Sequence, residues 1–147
     1  STAESCTGGL LSHVLTGVPG SSGYFIGGVV AYSNQIKEEI LGVRLETLQS
    51  FGAVSEQTAR EMAEGVRLKF KTSIGLSTTG IAGPTGGTPE KPVGLVWIGV
   101  STADRTVAQE CHFDADRDGV KTLTVERLLK VLLKEITPTK GSPYAGE

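Results

Sequence analysis

The sequence predicts an α/β domain of three layers, α/β/α, with a mixed, mostly parallel sheet covered by helices. Three observations point to it. Segments of helical and strand periodicity alternate along most of the chain. Val93 to Val100 is a near-continuous apolar run, the pattern of a strand covered on both faces. Ala103-Asp104-Arg105 reads as a hairpin turn between that run and a second strand, which adds an antiparallel pair near the end. At 147 residues the chain is most simply one domain, spanning 1–137, and a chain of this size buries roughly 68–70% of its unfolded surface.

The first element expected is a helix after Gly9, because Leu10, Leu11, Val14 and Leu15 fall on one face. Gly17, as a left-handed cap, and Pro19 should end it. Thr2-Ala3-Glu4-Ser5-Cys6-Thr7-Gly8-Gly9 therefore lies on its N-terminus, where unpaired amides and the positive dipole end favour an anion. The same residue types are also ordinary helix caps. Gly20 to Gly23 reads as a loop, and Tyr24 to Tyr32 as a strand with a bulge or close approach at Gly27-Gly28. Ser33-Asn34 opens a short helix ending near Gly42, and Leu45 to Phe51 forms another closed by Gly52. Ser55 is the expected N-cap of the clearest helix of the front half, which carries Ala59, Met62, Ala63, Val66 and Phe70 inward. Met62 reads as core. Ser73 to Thr79 is a strand running into the glycine-rich 80–87 loop. After the hairpin strands comes a long helix from about Asp118 to Ile136, with Val120, Leu123, Leu128, Val131, Leu132 and Ile136 inward. Thr137-Pro138 stops it, and 138–147 reads as a mobile tail with no apolar period.

Composition narrows the function classes. A net charge of −2 argues against a nucleic-acid partner, whose phosphates demand a basic face. No apolar run approaches the ~20 residues that span a bilayer, and no signal peptide is recognisable. Cys6 and Cys111 are far apart and match no metal spacing, so reduced thiols in a cytoplasmic protein are expected, with no metal and no cofactor. Glycine supplies 20 of the 147 residues, nearly twice the ~7% of average usage. Its clusters at 8–9, 17–28 and 80–87 mark backbone that turns tightly or approaches a ligand.

Only His13 and His112 could complete a Ser-His-Asp triad, and nothing local supports one. Without a useful histidine, Ser5 needs another base. A lysine serves once burial or a positive field lowers its pKa. Tyr32 and Lys37, five apart across a strand-to-helix turn, could reach a common point. Tyr32 would relay a proton or orient the serine hydroxyl, and Lys37 would act as base or polarise the tyrosine. The plainer alternative leaves Lys37 solvated at the surface. Gly80 to Gly87 matches neither phosphate-loop pattern, so it is either an anion-binding nest or a turn. Arg117 could clamp a phosphate, but pairing with its aspartate neighbours is the safer expectation. Cys6 is a rival nucleophile or a buried thiol.

Taken together, T-A-E-S-C-T-G-G (2–9), Y-S-N-x-x-K (32–37), G-A-V-S-E (52–56), G-I-A-G-P-T-G-G (80–87), K-P-V-G (91–94) and D-R-D (116–118) resemble the nicotinamide mononucleotide deamidase family, also known as the C-terminal domain of the competence-damage-inducible protein CinA. These motifs cover about residues 2 to 130. The resemblance implies hydrolysis of the carboxamide of nicotinamide mononucleotide to nicotinate mononucleotide and ammonia. By position it makes Ser5 the nucleophile and Tyr32 and Lys37 its activators. Thr7, Gly8 and Gly9 would serve the oxyanion or nearby substrate atoms. Thr79, Gly80, Ala82 and Gly83 would line the nucleotide pocket, with Arg117 as a phosphate candidate. Two departures stand out: family members usually carry a helix and a strand before T-A-E-S whereas this sequence begins almost on the motif, and Ala115 replaces the usual glycine before Asp-Arg.

Beside the amidohydrolase stand two other readings. A nucleotide-binding or regulatory module, attached to a larger CinA-type protein, would need only the glycine loops and would tolerate Lys37 in solvent. An oligomer scaffold would use the Leu128 to Ile136 helix as its interface, though Arg127, Lys130 and Lys134 speak against that.

Overall fold

The computed structural model describes residues 1–138. At its centre lies a strand where periodicity predicts only the approach to a helix: β1, Thr2–Glu4, is fully buried and pairs in parallel on both sides. The strand leading into Ser5 is thus residues 2–4 themselves. Three residues carry too little periodicity to be read as a strand. β2 (Gly28–Val30), β3 (Gly75–Gly80), β4 (Leu95–Ser101) and β5 (Thr106–His112) complete a five-stranded sheet in the order β2-β1-β3-β4-β5. The β2-β1 and β1-β3 ladders are parallel, and β3-β4 and β4-β5 are antiparallel. Four strands therefore run one way and β4 alone runs back.

Five helices cover the sheet: α1 (Leu10–Thr16), α2 (Asn34–Leu41), α3 (Leu45–Phe51), α4 (Glu56–Phe70) and α5 (Arg117–Ile136). On one face Leu11 of α1 and Val120, Val125 and Leu128 of α5 pack on Leu76, Val96, Ile98 and Val100. On the other, Ala3 of β1 packs with Leu41 of α2, Leu48 of α3 and Met62 and Val66 of α4. The alternation along β4 divides the two cores, as a pleated strand must. α4 lies close on its face because small residues lie beneath it. Ser77 Oγ donates to Ala59 O at 2.6 Å, and a Cβ on Gly99 would crowd that carbonyl.

Several local expectations change. Of Tyr24 to Tyr32 only Gly28–Val30 is strand, and Ser21–Gly23 is a short 3-10 helix. β-rich composition marked a segment that mostly has no neighbour to pair with. Gly17 closes α1 with a right-handed φ of −68°, not as a left-handed cap. Val14, Leu123 and Ile136 are exposed, because α1 and α5 bury narrower stripes than their apolar residues would allow. The predicted tail from residue 139 lies outside the described residues. Among those described, no helix is long and apolar enough to cross a membrane.

Candidate active site

All four strands that run the same way send their carboxyl ends toward one rim. Ser5 follows β1, Ala31 and Tyr32 follow β2, Thr79 and Gly80 end β3, and Arg117 opens α5 after β5. Ligands gather at this edge of parallel sheets, since the strand-to-helix loops meet there. The rim holds a pocket of about 220 Å³ lined by Ser5, Cys6, Tyr32, Asn34, Lys37, Ala53, Val54, Thr79, Gly80, Ala82 and Arg117.

Lys37 is its central feature. Ser33 caps α2, accepting the Ile36 amide at 3.2 Å, and so begins the helix that carries Lys37. Lys37 points inward and is only 1% exposed. Its Nζ lies 3.1 Å from Ser5 Oγ, 2.9 Å from Ala31 O and 3.4 Å from Tyr32 O. Burial lowers its pKa below the ordinary 10.5. A neutral amine has two hydrogens and one lone pair. As the ammonium, Lys37 donates to Ser5 Oγ and the carbonyls; in the neutral form, with both hydrogens given to the two carbonyls, its lone pair would be left for the Ser5 hydroxyl. The solvated alternative for Lys37 is thereby excluded.

The other candidates divide. Ser5 is 8% exposed and its amide donates to Thr78 O at 2.9 Å, which fixes the turn after β1. Tyr32 belongs to the pocket wall but is 61% exposed, and its hydroxyl accepts from Arg117 at 3.0 Å rather than meeting Ser5. What reaches the serine–lysine pair is the Tyr32 carbonyl. Arg117 donates to Gly83 O at 2.7 Å and to Tyr32 instead of pairing with its aspartates, because Asp116 is engaged as N-cap of α5. Thr79, Gly80 and Ala82 line the pocket, while Gly83 joins it only through its carbonyl on Arg117.

Thr7, Gly8 and Gly9 do not line it. Thr7 is buried, with its hydroxyl 2.7 Å from both Glu4 and Thr78, and the Gly8 amide donates back to Ser5 O at 3.1 Å. Nor does the start of α1 offer a vacant anion site. Glu4 occupies it, accepting from the amides of Leu11 at 2.7 Å and Ser12 at 3.1 Å. The helix start is legible in the sequence, whereas the internal carboxylate that neutralises it is set by tertiary packing. The Cys6 amide, next to Ser5, donates to no protein oxygen among the described residues. Burial pushes the Cys6 thiol up to about 12, which leaves it un-ionised and a poor nucleophile. His13 and His112 are exposed and away from the pocket. Asn34, Ala53 and Val54 were not singled out from sequence, although they sit inside the quoted Y-S-N and G-A-V-S-E stretches. Among the described residues, no three His, Cys, Asp or Glu side chains form a group able to hold a metal ion.

The model of the CinA C-terminal domain family matches residues 1–136. The chain belongs to that family. A protein described as competence-damage inducible from Caldanaerobacter subterraneus subsp. tengcongensis is 56% identical over 121 residues, covering 82% of this chain and 29% of its own length. A CinA-like protein of Amoebophilus asiaticus is 52% identical over 136 residues, covering 92% and 33%. The chain thus spans about a third of the length of these curated CinA relatives. Among solved structures, the competence/damage inducible protein CihA from Agrobacterium tumefaciens superposes with a TM-score of 0.88 at 43% identity, covering 90% of this chain and 82% of that one. The mixed sheet with its five helices is accordingly the CinA fold.

Proposed function

We propose that this chain is an amidohydrolase that converts nicotinamide mononucleotide to nicotinate mononucleotide and ammonia, a step of pyridine-nucleotide salvage, with residues 1–137 as one catalytic unit. The observation that carries the reading is the buried Lys37 Nζ at 3.1 Å from Ser5 Oγ, at the floor of a pocket. A module that only binds a nucleotide has no need to bury an amine against a serine.

In the first step Lys37 takes the Ser5 proton as Oγ attacks the carboxamide carbon, and the C=O pair moves onto oxygen. The Cys6 amide, next in the chain to Ser5, would donate to that oxyanion, and such preorganised donors are commonly worth about 2.7–4 kcal/mol in the transition state. The tetrahedral species collapses, the C–N bond breaks, and the leaving nitrogen takes the proton from Lys37 to depart as ammonia. Water then attacks the acyl-serine and gives its proton to Lys37. The C–Oγ bond breaks and that proton returns to Ser5. Arg117 stands at the mouth with donors beyond the two it spends on Gly83 and Tyr32, suited to the substrate's phosphate. Tyr32 forms the wall facing it.

The test is ammonia release from nicotinamide mononucleotide by the chain and by Ser5→Ala and Lys37→Met. Release by the unaltered chain and its loss in both folded variants is the expected result. Binding of the nucleotide without any release would replace the enzyme with the regulatory-module reading.

A further inference from the structure

One buried ionisable group has no part in those steps. Glu4 is 1% exposed and pairs with no lysine, arginine or histidine among the described residues. Burying a carboxylate is costly unless hydrogen bonds replace its water. Here four do. Oε1 accepts from the Leu11 amide and the Thr7 hydroxyl, each at 2.7 Å. Oε2 accepts from the Ser12 amide at 3.1 Å and the Ser12 hydroxyl at 2.7 Å.

Gly9, the N-cap residue, has no side chain and a φ of +107°, where an L side chain is strained, so the start of α1 has no cap of its own. The cap comes instead from the residue before the nucleophile, across the whole Ser5–Gly9 turn. Thr7 extends the link. Having donated its one hydrogen to Glu4, its hydroxyl must accept from Thr78 Oγ1, 2.7 Å away. Thr78 Oγ1 in turn lies 3.4 Å from the Ser5 amide, whose main acceptor is the Thr78 carbonyl. The carboxylate gives this chain its direction: Ser5 N–H toward Thr78, Thr78 toward Thr7, Thr7 toward Glu4. Bonds aligned this way polarise one another.

We propose that Glu4, acting through Thr7 and Thr78, is a positioning residue that holds Ser5 in register with Lys37. The inference rests on the amidohydrolase reading. Its reason is geometric: a misplacement of about 1 Å can cost on the order of 10²-fold in rate.

The experiment uses two variants and two readouts. Glu4→Gln keeps the shape but sets an amide donor against donors. Thr7→Val keeps the shape and leaves Glu4 on the amides of α1, but cuts the link to Thr78. The first readout is kcat and KM for nicotinamide mononucleotide, per folded molecule. The second is the rate at which a fluorophosphonate labels Ser5, which needs no knowledge of the substrate. The expected result is a fall of about tenfold or more in kcat and in labelling rate for both variants, with KM within about twofold. Thr16→Ala, which removes a 2.7 Å bond to Ser12 O at the far end of α1, is the comparison for mere loosening of that helix and should keep both rates. If Glu4→Gln does not fold, Thr7→Val decides alone. Wild-type kcat and labelling in folded Thr7→Val, or lowered stability with both rates kept in Glu4→Gln, overturns the proposal. Absence of ammonia release from the unaltered chain, with labelling still dependent on Thr7, would instead reject the substrate reading and keep the positioning one.

Discussion

Lys37 carries a burial cost that the fold retains. Its amine would be better solvated as a surface ammonium, yet α2 places it among Ser5 and two carbonyls. Two consequences follow from the lowered pKa. In the proposed mechanism activity depends on the neutral amine, so kcat/KM should rise with pH and level off with a midpoint below the ordinary 10.5. A pH–rate profile over the range of folded protein checks this. The stability effect has the same sign. The unfolded chain holds the lysine proton more tightly, so unfolding free energy rises with pH between the lowered pKa and 10.5. Below that window the full burial cost is present. Urea midpoints at successive pH values should show this rise in the unaltered chain, and Lys37→Met should lack it. Arg117→Ala tests the other charged residue of the pocket. It removes the ties to Gly83 and Tyr32, and kcat/KM for the mononucleotide should fall about tenfold, as loss of a charged hydrogen-bond partner commonly does. The urea midpoint should barely move, because Arg117 is exposed.

At the scale of elements, helix placement depends on small residues beneath and between the helices. α2 and α4 approach so closely at Gly65 that a Cβ there would run into the Leu41 carbonyl. Backbone cannot yield as a flexible side chain would. Gly65→Ala should destabilise the chain by about 1–3 kcal/mol in urea unfolding despite its better helix propensity. A midpoint equal to the unaltered chain's would mean the helices part at no cost. Ser33 shows the same dependence from the other side. It caps the helix that carries Lys37, and Ser33→Ala should cost about 1 kcal/mol, read as a lower melting temperature. Helices of this kind were legible in sequence. Ser55 caps as expected, a helix opens at Ser33-Asn34, and Leu45–Phe51 and Glu56–Phe70 are helical as expected. Strands were less so. β1 and β2 have three residues each, and pairing rather than propensity makes them strands.

For the whole molecule, the single rim is what turns scattered motifs into a site. Ser5 and Arg117 are more than a hundred residues apart, yet both line one pocket because β1, β2, β3 and β5 run the same way. β4 runs back and contributes no lining residue. The glycine-rich segment after β3 is bound into that rim by Arg117 on Gly83.

The sequence by itself determined the α/β class and most helix boundaries, because caps and periodicity are local properties written at fixed spacings, while Ser5 and Lys37 stood out as candidates through the motifs that carry the family resemblance. Only the tertiary structure decided which groups touch. It turned the Tyr32 hydroxyl toward Arg117 and away from Ser5, and moved Thr7 from the substrate side into the interior. It also filled the start of α1 with Glu4. The physical reason is one of direction. Spacing along a chain says how near two residues can come, while burial and the packing of neighbouring strands and helices settle where each side chain points.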